Sequence, residues 1–506
     1  MGWLQQVMAQ GHQVGAARGQ PRAVVDAAGW LQAGAHLAAG HGTLLSLWGE
    51  ADAAHLCILA DADIGILTLA CPTGRLPSIG SLHPPALRLE RAMRDLYGLE
   101  AEAAADTRPW LDHGRWGLHH PLGPKRAASP GVAAKPYSFD GAEGPPMHQI
   151  PVGPVHAGII EPGHFRFTAN GETIVRLEQR LGYVHKGIDH LLTGATLEDG
   201  AKLVGRVSGD STVAYALAFA HAVEAALELD APPRAVCLRA LMAELERIAN
   251  HLGDIGAICN DASFSLLHTH CGILREHVLR AAERAFGHRL MMDRIVPGGV
   301  TAELGRDGHA AITALLATIR RHFPALIELY DSTASLQNRT VSTGILRPEL
   351  AMQYGAGGYI GRASARAFDA RKLPGYAPYP DLTFEVPVRQ AGDVDARVWV
   401  RIEEVQQSLS LIEQILQGDR AGALRSNTQA RVAQPQHEGL ALVEGFRGDI
   451  LAWVSLAPDG RLARCHVRDP SWLQWPLLEA AIEGNIVADF PLCNKSFNCS
   501  YSGHDL

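Results

Sequence analysis

No two cysteines in this chain are spaced as C-x-x-C. Cys57, Cys71, Cys237, Cys259, Cys271, Cys465, Cys493 and Cys499 are scattered over 506 residues. That excludes a dense disulfide framework and leaves no sequence-grouped set of four thiolates for an iron–sulfur cluster held by the chain itself. An uncharged apolar run of the roughly 18–20 residues that a membrane span needs is also missing. The nearest, 213–229, is broken by His221, Glu224 and Glu228. Met1 to Gln10 lacks a basic region followed by an apolar stretch, so no signal peptide is expected. There is no basic excess, with 45 Lys and Arg against 53 Asp and Glu and a net charge of -8, which argues against a nucleic-acid footprint. Repeats of 20–50 residues are absent. Gly355-Ala356-Gly357-Gly358 lacks the strand, turn, helix and downstream acid of a dinucleotide loop, so no NADH site is expected. What is present is apolar material for a large core, 47% of residues against 19% charged. At about 100–200 residues per domain the length predicts more than one domain.

Along the chain, 1–125 reads as a small α/β unit. Apolar runs at 56–60 and 64–71 suit strands, and 84–98 suits a helix. The Gly-, Pro- and Ala-rich stretch 126–150 reads as a linker, with 151–506 as a second domain. In that domain, strands are expected at 159–167 and 173–177, joined by a turn at Ala169-Asn170-Gly171. Helices are expected at 213–229, 234–252, 310–336 and 397–417, the last amphipathic through Val398, Ile402, Val405, Leu409 and Ile412. The end, 445–489, returns to strands and a helix. The fold class is therefore α+β.

Several motifs carry a resemblance. Leu89-Glu90-Arg91 with Asp95-Leu96-Tyr97-Gly98, followed by Arg108, Trp110 and Leu111-Asp112-His113, resembles the E-R-x-x-x-D-L/M-F-G region of the 30 kDa subunit of respiratory complex I. Gly153-Pro154-Val155-His156 with Glu161-Pro162-Gly163-His164-Phe165-Arg166-Phe167 resembles the first hairpin of the complex I 49 kDa subunit. It is closer still to the large subunit of group 4 membrane-bound nickel–iron hydrogenases of the formate hydrogenlyase type. In family order follow Tyr183-Val184-His185-Lys186-Gly187, then Glu244, Arg247, Asn250 and His251 on one helix, then Pro297-Gly298-Gly299. Thr343-Gly344-Ile345-Leu346, Asp369-Ala370-Arg371-Lys372, Phe384-Glu385-Val386-Pro387, Arg397 and Arg401-Ile402-Glu403-Glu404 complete the series. The chain thus resembles a fusion of the two subunits, which implies an N-terminal domain like the 30 kDa subunit and a helical hydrogenase-like domain with β hairpins.

The resemblance implies two C-x-x-C pairs holding nickel and iron, since such metals want soft, readily ionised sulfur. Here the first pair reads Ser208-Gly209-Asp210-Ser211. The second, aligned from Ser496, falls on Ser500 and Gly503, with Cys499 one residue early. A serine hydroxyl stays protonated near neutral pH and is a poor ligand for these metals. No metal site is expected. His268-Thr269-His270-Cys271 is read as helix and loop rather than a metal cluster.

By the same resemblance Glu161 matches a proton-gating glutamate and Arg447 an arginine over the active site. With His164 and Asp210 they form the expected catalytic set. The quinone site of complex I would place its histidine at His156 or His164 and its tyrosine at Val207, with Tyr215 as a nearby hydroxyl. Lys186 replaces an arginine near the partner's terminal cluster, keeping a cation without bidentate geometry. His156, His164 and Lys186 are thus the expected cofactor contacts. Three functions follow from the resemblance. The first is a peripheral-arm subunit without a nickel–iron centre, peripheral on the cytoplasmic face of the membrane. It would couple electron transfer from a partner's iron–sulfur cluster, with quinone as a candidate acceptor, to ion translocation by antiporter-like membrane subunits. The alternatives are an active hydrogenase and a non-catalytic scaffold. No cofactor is expected to be bound by the chain itself.

Overall fold

The structure is a computed structural model. It describes all residues except 1, 15–19, 125–126, 129–135, 143, 145, 158–159, 419–420 and 429–436. Residues 126, 129–135, 143 and 145 of the predicted linker, and the start of the strand expected at 159, lie outside the described residues, while 147–150 of that linker belong to strand Met147–Val152, which pairs with His164–Asn170.

The N-terminal part is a five-stranded sheet in the order His12–Val14, Arg22–Val25, Asp63–Ala70, Ala53–Ala60, Thr43–Gly49. Only Arg22–Val25 and Asp63–Ala70 run parallel. Its central strands are apolar almost throughout because both faces are covered. One face takes the helices Ala27–Ala38 and Leu87–Tyr97. Asp26 caps the first of these, accepting from Gly29 N at 2.8 Å. Gly98 closes the second in the left-handed region at φ 75°. The polar residues of that second helix hold loops. Buried Glu90 accepts from Ile79 N and Gly80 N, and Asp95 Oδ2 accepts from the backbone N–H groups of Trp110, Leu111 and Asp112.

The other face of the sheet packs on a second sheet, formed by His437–Gly445, Gly448–Leu456 and Leu462–Arg468. Leu45, Trp48, Cys57 and Ile66 meet Leu440, Leu442, Leu451 and Trp453 in a dry layer. Arg468 Nε donates to Leu45 O across it at 2.8 Å, so the two halves form one packed body.

The second half is built on five helices, Thr212–Ala226, Pro233–Asp261, Ser265–Phe286, Arg306–Ser332 and Val394–Gly418. Their core is continuous with the C-terminal sheet. The helix expected at 234–252 continues to Asp261, because Ile255, Ile258 and Cys259 keep the buried stripe going. The helix expected at 310–336 is divided at Thr333, whose ψ of 98° is not helical. The hairpin is His164–Asn170 with Thr173–Arg180. Ala169 and Asn170 thus belong to the strand, and the turn is Gly171-Glu172, with Gly171 at φ 58°.

Candidate functional site

The four positions aligned with metal ligands converge. Ser208 precedes and Ser211 ends the single turn Gly209–Ser211 that leads into helix Thr212–Ala226. Ser500 caps helix Tyr501–Asp505, its hydroxyl accepting from Gly503 N at 2.8 Å. Ser208 Oγ lies 2.9 Å from Ser500 Oγ and donates to Asp210 Oδ1 at 2.9 Å. Ser211 Oγ donates to the same oxygen at 3.2 Å. Arg447 closes the cluster. Its Nη1 donates to Asp210 Oδ1 at 2.7 Å, its Nη2 to Oδ2 at 2.5 Å and its Nε to Asn498 O at 2.5 Å. Burial works against a charge on Asp210, but the Arg447 guanidinium and the two hydroxyls outweigh it and hold the carboxyl at about 2.

These residues do not fit a nickel–iron pair. The hydroxyls already satisfy one another and the Asp210–Arg447 pair. At Gly503 an added Cβ would stand 2.5 Å from Asp469 Oδ2 and 2.9 Å from Ser500 Oγ. Asp469 occupies the space a ligand side chain would need there, and it is fixed by a short hydrogen bond from the Tyr215 hydroxyl and by Ser471 N. Cys499 does not rescue the set. It is buried in the neighbouring apolar cluster, and burial pushes its thiol far above the ordinary range.

Polar residues behind the cluster set its shape. Arg247 donates to Glu444 O and Gly445 O, fixing the turn that presents Arg447. Arg397 and Arg401 reach Ser496 and hold the segment that carries Ser500. Glu246 accepts from Val213 N and Ala214 N at the start of the helix that follows Ser211. Burial pushes the Glu246 carboxyl up to about 8 from 4.5, against the pull of those two N–H bonds. The folded state therefore holds its proton where the unfolded chain has lost it, and this group's contribution falls as pH rises from about 4.5 to 8. Glu246→Gln keeps an acceptor oxygen without the charge. It is expected to flatten that decline, on top of a pH-independent loss from the one N–H that the amide NH2 cannot accept. Urea melts across this pH range check it, and parallel curves for the two proteins would refute it.

The other candidates are distributed differently. Glu161 Oε2 accepts from Ser502 N at 3.2 Å, which ties the loop before strand His164–Asn170 to the Ser500 helix. The Ser502 hydroxyl lies 3.5 Å from Ser500 Oγ, and Ser500 leads through Ser208 and Asp210 to Arg447, with Glu161 joined to the backbone of Ser502. His164 stands outside this network. Its Nδ1 meets Gly153 O at 3.2 Å and its Nε2 faces Arg166, and it makes no hydrogen bond to Glu161 or Arg447. His156 Nε2 instead lies 3.4 Å from the hydroxyl of Tyr501. Val207 is buried, and Lys186 Nζ donates to its carbonyl at 3.0 Å. Tyr215 is taken by Asp469, and Arg468 serves the contact between sheets and pairs with Asp449. On helix Ser265–Phe286 His268 and His270 are exposed and Cys271 is buried. Sequence reasoning overlooked Tyr501, although its place between Ser500 and Gly503 was a positional clue. It also missed Glu246 and Asp505, whose carboxylate accepts from Gly182 N and Val184 N.

Comparison with known proteins adds a second line of evidence. Residues 26–129 match the family described as respiratory-chain NADH dehydrogenase, 30 Kd subunit, and residues 265–439 match its 49 Kd subunit. The chain is 31% identical to formate hydrogenlyase subunit 5 of Escherichia coli strain K12, over 85% of this chain and 76% of that protein. It is 30% identical to the carbon monoxide-induced hydrogenase of Rhodospirillum rubrum, over 69% of this chain and 97% of that protein. It is also 30% identical to a component of the NADH-quinone oxidoreductase of Roseiflexus sp. strain RS-1, over 67% of this chain and 94% of that protein.

Proposed function

The chain belongs to the family that unites the 49 kDa subunit of respiratory NADH dehydrogenase with the large subunits of membrane-bound hydrogenases, carrying a 30 kDa-type domain in front, and from that premise we propose that it is a peripheral-arm subunit of such a complex that works without a nickel–iron centre. The observation carrying this reading is the Ser208–Ser500 hydrogen bond, with Asp469 filling the space beside Gly503. It docks on a partner subunit bearing an iron–sulfur cluster. Support for that contact comes from the loop and strand end beside the serine cluster, where Val155 is 89% exposed and Tyr183 and Ile160 are exposed as well. Among the described residues no helix is long and apolar enough to cross a membrane. The proposal attaches the chain to the membrane through antiporter-like partner subunits.

Quinone is the proposed acceptor. The His156–Tyr501 pair supplies the imidazole and phenol that Val207 and Tyr215 cannot. A bound quinone would take up electrons and protons, while this pair would orient its carbonyl by hydrogen bonding. Burial and the Glu161 and Asp505 carboxylates push the Tyr501 hydroxyl above its ordinary range, so it remains a donor. A non-catalytic scaffold is the second reading. It is favoured by the way Ser208, Ser211, Asp210 and Arg447 saturate one another.

The test is purification of the intact complex through a tag on this chain. The expected result is an iron–sulfur partner, nickel far below one per chain, no H2 evolution, and electron transfer to a soluble quinone that falls at least about tenfold in Tyr501→Phe. Stoichiometric nickel with H2 evolution would overturn the proposal, and quinone reduction indifferent to Tyr501→Phe would leave the scaffold reading. Glu161→Gln is expected to abolish ion translocation by reconstituted vesicles. Unchanged pumping would remove Glu161 from the mechanism.

A further inference from the structure

Away from the serine cluster, a cavity of about 310 Å³ lies between the two halves of the chain. Helix Leu87–Tyr97 and strand Thr43–Gly49 form one wall, segments 185–190 and 466–472 the other, and the 111–122 loop covers it. Its size falls at the small end of ligand pockets, and its lining is mainly apolar and aromatic, with Tyr97, Trp116 and Trp472 among it. Trp116 is only partly buried and stacks on His185, the ring centroids 4.8 Å apart, so it forms a cover rather than part of the core.

One group in this lining has no structural employment. Asp189 is buried, and its Oδ1 has no hydrogen-bond partner. The charged groups around it are engaged elsewhere, and Trp48 Nε1 in the same lining also lacks a partner. Lys186 Nζ serves Val207 O, Arg468 serves Leu45 O and Asp449, His185 Nδ1 serves Asp505 O, and His466 pairs with Ser46. Burial alone pushes the Asp189 carboxyl up to about 7, with no opposing charge to hold it down. A buried carboxylate without a partner is costly unless a donor or cation arrives from outside. Aromatic walls favour a cation for the same electrostatic reason.

We propose that this cavity binds a small planar aromatic cation, of the amidinium or protonated-heteroaromatic class, with its N–H edge on the Asp189 carboxylate and its ring among Tyr97, Trp116 and Trp472. The site is independent of the serine cluster and of the quinone reading, and it joins the two halves of the chain, so occupancy would tighten their contact.

The probe is benzamidine, with benzamide as its neutral isostere. Each is titrated calorimetrically into the purified full chain at about pH 8, where Asp189 is mostly ionised, while Trp fluorescence reports on the cover. The expected result is saturable benzamidine binding, with benzamide at least about tenfold weaker. Asp189→Asn should weaken benzamidine at least about tenfold without lowering the melting temperature, because the native carboxyl makes no bond to lose and its buried charge is costly. Ala92→Phe, which fills the cavity from the helix side, should abolish binding. No binding to the wild type, equal binding of the two probes, or an affinity unchanged by Asp189→Asn would each overturn the proposal.

Discussion

Arg362→Met is expected to lower the free energy of unfolding by about 3–5 kcal/mol, because it strips the partner from carboxylates that have no access to water. Arg362 is fully buried. Its guanidinium meets Glu404 at 2.6 Å, Glu444 at 2.8 Å and Asp369 at 3.6 Å. Asp369 keeps Arg371 and Glu404 keeps His251, but Glu444 retains only the Ala370 N–H at its carboxylate. Burial and the nearby Asp369 already push the Glu444 carboxyl upward. The network is also the mount of the functional cluster, since Glu444 opens the turn that presents Arg447. The lost charge is therefore expected to loosen the Asp210–Arg447 pair as well as the core. Urea denaturation followed by tryptophan fluorescence measures the first effect. Adding Glu404→Gln and Glu444→Gln to Arg362→Met should recover much of the loss, because neutral amides bury at far lower cost. A single variant within about 0.5 kcal/mol of wild type would show that the ion network does not carry the core.

Restoring four cysteines should not restore a metal site. The combined variant Ser208→Cys, Ser211→Cys, Ser500→Cys, Gly503→Cys supplies the donor set, yet the Cβ at 503 collides with the Asp469 carboxylate. Titration with Cd2+, read by thiolate charge-transfer absorption, is expected to saturate below four thiolates per ion. Adding Asp469→Ala clears the obstruction and should permit tetrathiolate binding. A complete tetrathiolate site in the four-cysteine variant alone would refute the steric argument. In that case only the change of serine for cysteine separates this chain from a metal-binding one.

The sequence determined the chemistry that is missing. Serine at 208, 211 and 500 and glycine at 503 can be read without coordinates, because ligand identity is a property of the side chain. Long amphipathic helices and the order of motifs were legible for a similar reason, since periodicity and turn residues act locally. Helix ends were less legible, because 253–261 is helical for the sake of Ile255, Ile258 and Cys259 packing against other helices. Tertiary structure alone decided what replaced the lost ligands. Asp210 and Arg447 are 237 residues apart and Tyr215 and Asp469 are 254 apart, and no local rule pairs them. It also turned His164 towards Gly153, matched His156 with Tyr501, and left Asp189 facing a cavity between two halves that the sequence presents as separate. Burial is a sum over distant neighbours, so which charges are satisfied and which are stranded emerges only when the chain closes on itself.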